Sequence, residues 1–233
     1  MSGIESNLAQ IRARIAAACE RAGRETSSVA LMGVSKNHPP EAVAEAARLG
    51  LRLFGENRIQ EAKAKIPACP EGLEWQFIGH LQSNKVRDAV ALFRTIQGVD
   101  STAIAGEIDR HAAKRSLRMP VLLEVNVAGE ASKFGWDPKR LLEALPELGS
   151  LAHLEIRGLM TIAPYSDDPE AARPFFRRLR ELRDRCAALL GVPLPTLSMG
   201  MSGDMEVAIE EGATVVRIGT DLFGARPRPA AKG

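Results

Sequence analysis

Lys36 closes an apolar run, Val29-Ala-Leu-Met-Gly-Val34, with only Ser35 between them. Where such a run is a buried strand, a lysine at its end is partly desolvated. Desolvation lowers an amine's pKa and makes it nucleophilic toward an aldehyde. A solvated rim position is the commoner fate of lysine. Far along the chain, Ser198-Met-Gly-Met-Ser-Gly-Asp204 places glycines at 200 and 203 around Ser202. Glycine lets backbone approach a ligand closely. Ser202 offers a hydroxyl and an N–H just before a helical segment, a setting that suits a phosphate dianion. Taken on its own, this stretch reads better as a plain turn with a Ser or Asp N-cap to the next helix. Arg217-Ile-Gly-Thr220 follows, with Gly219 and Thr220 as a second pair of backbone donors.

These residues converge only if the right elements carry them, and the alternation of segments supplies those elements. Ile4 to Ala22 reads as an amphipathic helix, with Ile4, Leu8, Ile11 and Ile15 at helical spacing. Strand-like runs then recur at 29–34, 51–54, 75–78, 95–99, 121–127, 154–162, 196–199 and 214–218, each followed by a helical pattern. Ser101 caps one of those helices, and Asp137 with Pro138 opens another. Eight such units predict a single (β/α)8 TIM barrel with an extra N-terminal helix, spanning 1–225, before a Pro-, Ala- and basic-rich tail from Arg226 to Gly233 that is expected to fray. A doubly wound open sheet is the alternative. Barrels of this kind carry their sites on the loops after the strands, with phosphate commonly bound after strands 7 and 8. Both glycine loops fall there. A lysine at the end of strand 1 beside a phosphate cradle suggests pyridoxal 5′-phosphate (PLP) or a phosphosugar aldolase.

Composition excludes other classes. The 233 residues carry 31 basic and 29 acidic side chains, for a net charge of +2, too balanced to argue for nucleic acid or a membrane surface. Arginines gather between Arg173 and Arg185, but Glu181 and Asp184 interleave, as on a solvated helix face. Cys19, Cys69 and Cys186 are scattered, without the spacing of a zinc site or a disulfide framework. His38, His80, His111 and His153 form no metal-ligand pattern. Met1 to Gln10 lacks the apolar core of a signal peptide, and no apolar run approaches the ~20 residues that span a bilayer. A cytoplasmic protein is expected.

The sequence resembles the PLP homeostasis protein family along nearly its whole length. The carriers are Val34-Ser-Lys36, Phe54-Gly-Glu-Asn57, Phe77-Ile-Gly-His-Leu-Gln-Ser-Asn-Lys85, Ser132-Lys-Phe-Gly135, Arg157-Gly-Leu-Met-Thr161, Leu197-Ser-Met-Gly-Met-Ser202 with Asp204-Met205, and Val216-Arg-Ile-Gly-Thr220 with Phe223-Gly224. That family in turn resembles the barrel domain of alanine racemases, the fold type III PLP-binding barrel.

The resemblance implies that Lys36 holds PLP as a Schiff base and that Arg217 faces the pyridine nitrogen, which weakens the cofactor as an electron sink. It implies that Ser202, Gly219 and Thr220 hold the phosphate and that Asn57 sits beside the cofactor. His80 would lie on the rim or near the ring, unless it is a satisfied polar residue. Lys133 would reach the phenolic side or act in PLP transfer, unless it is an exposed loop lysine. Met160 and Ile162 would contact the cofactor or pack near it, unless they serve core packing alone.

Racemases carry a second domain that supplies a catalytic tyrosine across a dimer. Here little chain follows strand 8, and Tyr165 is the only tyrosine. The expected role is therefore non-catalytic: buffering PLP or delivering it to PLP-requiring apoenzymes, as a monomer. A PLP-dependent racemase or decarboxylase is the alternative. An aldolase is disfavoured, because those enzymes usually place the Schiff-base lysine on a later strand beside carboxylates.

Overall fold

The computed structural model describes residues 3–130 and 133–224, and the tail from Arg226 lies outside them. Chain order is α1 (Gly3–Arg21), β1 (Ala30–Val34), α2 (Pro40–Arg48), β2 (Leu53–Glu56), α3 (Ile59–Lys65), β3 (Glu74–Phe77), α4 (Val86–Leu92), β4 (Thr95–Val99), α5 (Thr102–Ala113), β5 (Met119–Glu124), α6 (Pro138–Ser150), β6 (Leu154–Met160), α7 (Arg173–Leu190), β7 (Thr196–Ser198), α8 (Met205–Glu210), β8 (Val215–Ile218) and α9 (Thr220–Phe223). The strands pair in parallel, and β8 returns to β1 in the register Ala30↔Val215 through Gly33↔Ile218. The sheet is therefore the closed eight-stranded barrel expected from the sequence, not the open alternative.

Strand parity decides which side chains enter the barrel. Val121, Leu123 and Val125 join the apolar layer between sheet and helices, so Leu122 and Glu124 point inward. By the same parity Ser198 and Arg217 point inward, opposite Leu197 and Val216. Inside, a polar chain links four strands. Gln97 Nε2 donates to Gln76 Oε1 at 2.6 Å, Ser198 Oγ to Gln97 Oε1 at 2.7 Å, and Arg217 Nη1 to Ser198 Oγ at 2.7 Å. Every buried polar group in that chain has a partner, which is what burying it requires. Gly158 lets β6 and β7 approach, since a Cβ there would collide with the Thr196 carbonyl.

Ser101 accepts from the Ile104 N–H, and Asp137 from the Lys139 and Arg140 N–H groups, so both expected caps form. The Asp204 cap does not. Its carboxylate turns back into its own loop and accepts from the Met201 N–H at 2.6 Å. The arginine face of α7 is also more than solvated. Arg173, Arg177 and Arg180 converge on buried Glu211 at 3.3, 3.0 and 3.2 Å, and Arg173 also reaches Glu210, which pins α7 to α8. Strands 5 and 6 end earlier than their apolar runs, at Glu124 and Met160. Their remaining residues turn into the mouth loops. Cys19, Cys69 and Cys186 are free thiols. No helix among the described residues is long and apolar enough to cross a membrane.

Candidate functional site

A cavity of about 950 Å³ opens at the C-terminal ends of the strands. Lys36, Asn57, His80, Lys133, Ser202, Arg217, Gly219 and Thr220 all line it, although they come from six of the eight strand-to-helix units. Met160 is not on the wall. It is buried at the end of β6 and points into the barrel below the cavity, on the opposite face from Leu159. Ile162, two residues on, does line the cavity and is exposed.

β1 carries Met32 and Val34 inward, and Lys36 keeps that parity at the mouth, while Ser35 turns outward and is fully buried. The two glycine loops sit side by side, because β7 pairs with β8 and β8 with β1. Their glycines do different jobs. Gly200 adopts φ +92°, and a Cβ there would lie 2.5 Å from the Ala208 Cβ, so the turn onto α8 needs glycine; the residue itself stays off the cavity wall. Gly203 has open space where a Cβ would go, and Gly219 would make only ordinary contacts with Val34. Those two line the cavity and leave room for a ligand against the backbone. Arg14 of α1 ties both loops together. Its guanidinium donates to the Ser202 carbonyl at 2.9 Å, to Glu206 Oε1 at 2.6 Å and to Asp221 Oδ2 at 2.8 Å.

Arg217 is buried beneath these loops, and its Nη2 donates to the Thr161 carbonyl at 2.8 Å. Burial lowers the guanidinium to about 10, with Asp204 and Glu124 resisting. It remains a cation at neutral pH. Glu124, at the end of β5, is a site residue that sequence reasoning missed. Only 8% of it is exposed, it lines the cavity, and its Oε2 has no hydrogen-bond partner among the described residues. Burial pushes its carboxyl up to about 7; repulsion from Asp100 adds to this and Arg217 opposes it. An acid closing the apolar run Val121-Leu-Leu was the available signal, the same one that singled out Lys36.

The far rim is aromatic and apolar. His80 stacks on Phe134 with ring centroids 3.7 Å apart, and its Nδ1 lies 2.9 Å from Asp100 Oδ2. Lys133 Nζ donates to Glu130 Oε1 at 2.8 Å and approaches the Ala163 carbonyl at 3.4 Å. Tyr165 is 90% exposed, and its hydroxyl donates to Asp167 at 2.8 Å.

The family model of the alanine racemase N-terminal domain matches residues 6–227. Curated relatives named pyridoxal phosphate homeostasis protein include one from Aquifex aeolicus, 49% identical over 220 residues, covering 94% of this chain and 96% of the relative. Another, from Pseudomonas aeruginosa, is 45% identical over 229 residues, covering 97% of each. Among solved structures, PipY of Synechococcus elongatus with PLP bound superposes with a TM-score of 0.84 at 40% identity, over 95% of this chain and all of that one. An alanine racemase from Clostridium difficile shares the fold at 17% identity and a TM-score of 0.75, with this chain spanning 58% of its length.

Proposed function

This chain belongs to the pyridoxal phosphate homeostasis protein family, and from that we propose that it is a cytoplasmic carrier that binds PLP and keeps it available without turning over a substrate. The observation that carries the reading is the composition of one cavity wall, which sets the Lys36 amine, two adjacent glycine-bearing loops and the buried Arg217 cation around the same space. Its volume of about 950 Å³ falls within the range of small-molecule sites. The glycines support the fit, since Gly203 has open space where a side chain would go and Gly219 carries no side chain on the cavity wall.

Lys36 would hold the cofactor's aldehyde carbon. Ser202, Gly203, Gly219 and Thr220 would hold its phosphate, Arg217 would face its ring nitrogen, and Asn57 would lie alongside. When bound, PLP supplies an electrophilic carbon and a conjugated ring able to accept electrons. Arg217 is a cation with donors only, so it opposes a proton on the ring nitrogen. Met160 would act from below, as packing under the cavity floor. The side chains that could move a substrate proton are poorly placed for it. Tyr165 stands in solvent with its hydroxyl given to Asp167, which raises its pKa. Lys133 is engaged with Glu130. Catalysis needs a positioned acid–base partner; of the other groups on the wall, His80 is stacked on Phe134 and lies 2.9 Å from Asp100, and Asp204 accepts from the Met201 N–H.

The test is borohydride reduction of the PLP-loaded protein followed by peptide mapping, alongside deuterium exchange at Cα of free amino acids in heavy water. The expected result is a pyridoxyl group on Lys36 and exchange no faster than with free PLP. Rapid Lys36-dependent exchange with any amino acid would make the protein an enzyme instead.

A further inference from the structure

Behind Lys36, on the outer side of the barrel wall, lies a buried ion cluster for which the carrier reading has no use. Lys65, at the end of α3, is 5% exposed and spends its three donors on Glu56 Oε1 at 2.6 Å, Glu61 Oε1 at 2.6 Å and the Ser35 carbonyl at 2.7 Å. Glu56 Oε1 also accepts from Ser35 Oγ at 2.6 Å, and Glu61 Oε1 accepts from the Asn37 N–H at 2.6 Å. The cluster therefore grips the residue before Lys36 by its carbonyl and hydroxyl, and the residue after it by its amide.

We propose that the Glu56–Lys65–Glu61 cluster positions Lys36: it fixes the Ser35–Asn37 turn and so aims the Lys36 amine into the cavity. The inference rests on the reading of Lys36 as the amine that takes the cofactor. Two features carry it further than ordinary packing. Asn37 holds φ +63°, a left-handed backbone that asparagine tolerates better than most residues, and the Glu61 carboxylate receives the amide that this turn presents. A buried lysine between two acids is also a poor way to gain stability, because desolvation offsets most of the attraction. What such a cluster does supply is directional geometry, and among the described residues its hydrogen-bond partners outside itself belong to the two neighbours of Lys36.

The test uses the full chain as wild type, Glu61→Ala, Glu61→Gln and Lys65→Met. Glu61 is partly exposed, so its variants should fold even where Lys65→Met does not. One readout is hydrogen exchange of the Asn37 amide in protein without PLP. The other is the rate at which added PLP becomes fixable by borohydride on Lys36. Loss of one charge-assisted acceptor should change each by about tenfold in Glu61→Ala, with faster exchange and slower capture. Glu61→Gln keeps an acceptor oxygen and should restore both. Wild-type capture by Glu61→Ala, with wild-type protein labelled on Lys36, overturns this inference alone. Labelling of wild type on another lysine overturns the reading of Lys36 first, and this inference with it.

Discussion

The loops after β7, β8 and β1 face the loops after β5 and β6 across one cavity, and although both are held by hydrogen bonds the two sides present different surfaces to it. On the first side the turns are fixed by directional bonds: Arg14 to three groups, Lys65 to three groups, and Gly200 seated against Ala208. On the second side Phe134, Ile162 and Tyr165 stand 56%, 41% and 90% exposed at the rim. Bonds of known direction can fix a small charged ligand to within a fraction of an ångström, whereas exposed apolar side chains cover without fixing. The first side therefore sets what binds, and the second what surrounds it.

The largest expected effect comes from breaking the first side at its turn. Gly200→Val combines a left-handed backbone with a clash against Ala208, which should cost about 4 kcal/mol of folding stability. Urea denaturation would measure it, and a loss below about 1 kcal/mol would mean that the turn is not held as described.

Next comes Glu124, whose carboxyl rises from the ordinary 4.5 to about 7 on folding. The folded protein then binds a proton that the unfolded chain releases between those two values. Stability from this group is complete below pH 4.5 and is lost as pH rises to 7. Glu124→Gln should thus gain about 3 kcal/mol relative to wild type above pH 7 and nothing below pH 4.5. Parallel unfolding curves across that pH range would show no buried, strained acid there.

Arg14→Ala should cut PLP affinity about tenfold, through loss of hydrogen bonds to the two loops, without emptying the site. Equilibrium titration would detect it, and unchanged affinity would mean that the loops hold themselves. Phe134→Ala should be the smallest, within about 0.5 kcal/mol in stability, because the side chain is mostly exposed. A drop in melting temperature as large as that of Gly200→Val would erase the distinction between the two sides.

The barrel is legible in the sequence because eight short strand-like segments alternate with helical patterns, the runs of β1 and β5 being the most continuously apolar. The two glycine-bearing loops that line the cavity are legible as departures from that alternation at strand ends. Glu124 is hard to single out in the sequence because the apolar pattern continues past it through Val125 and Val127, so little marks it as the end of the strand. Asp204 reads as a cap from spacing alone, and only the folded loop shows its carboxylate turned toward Met201. The polar chain from Gln76 to Arg217 is invisible in sequence, since Gln97 and Ser198 stand 101 residues apart. Parity across a closed sheet brings such residues together, and parity needs the strand registers, which bulges in the β4–β5 and β5–β6 pairings shift.

The bonds from Arg14 to Ser202 and Asp221 join positions 188 and 207 residues apart. A ribosome therefore delivers α1 long before it delivers the loops that Arg14 fastens. Until β8 emerges and closes on β1, the nascent chain has no finished cradle for a phosphate. Contacts of such long sequence separation form late in folding. The growing polypeptide thus presents the end of β1 well before the cavity beside it can close, and the finished cavity wall is a product of the last strand rather than of the first.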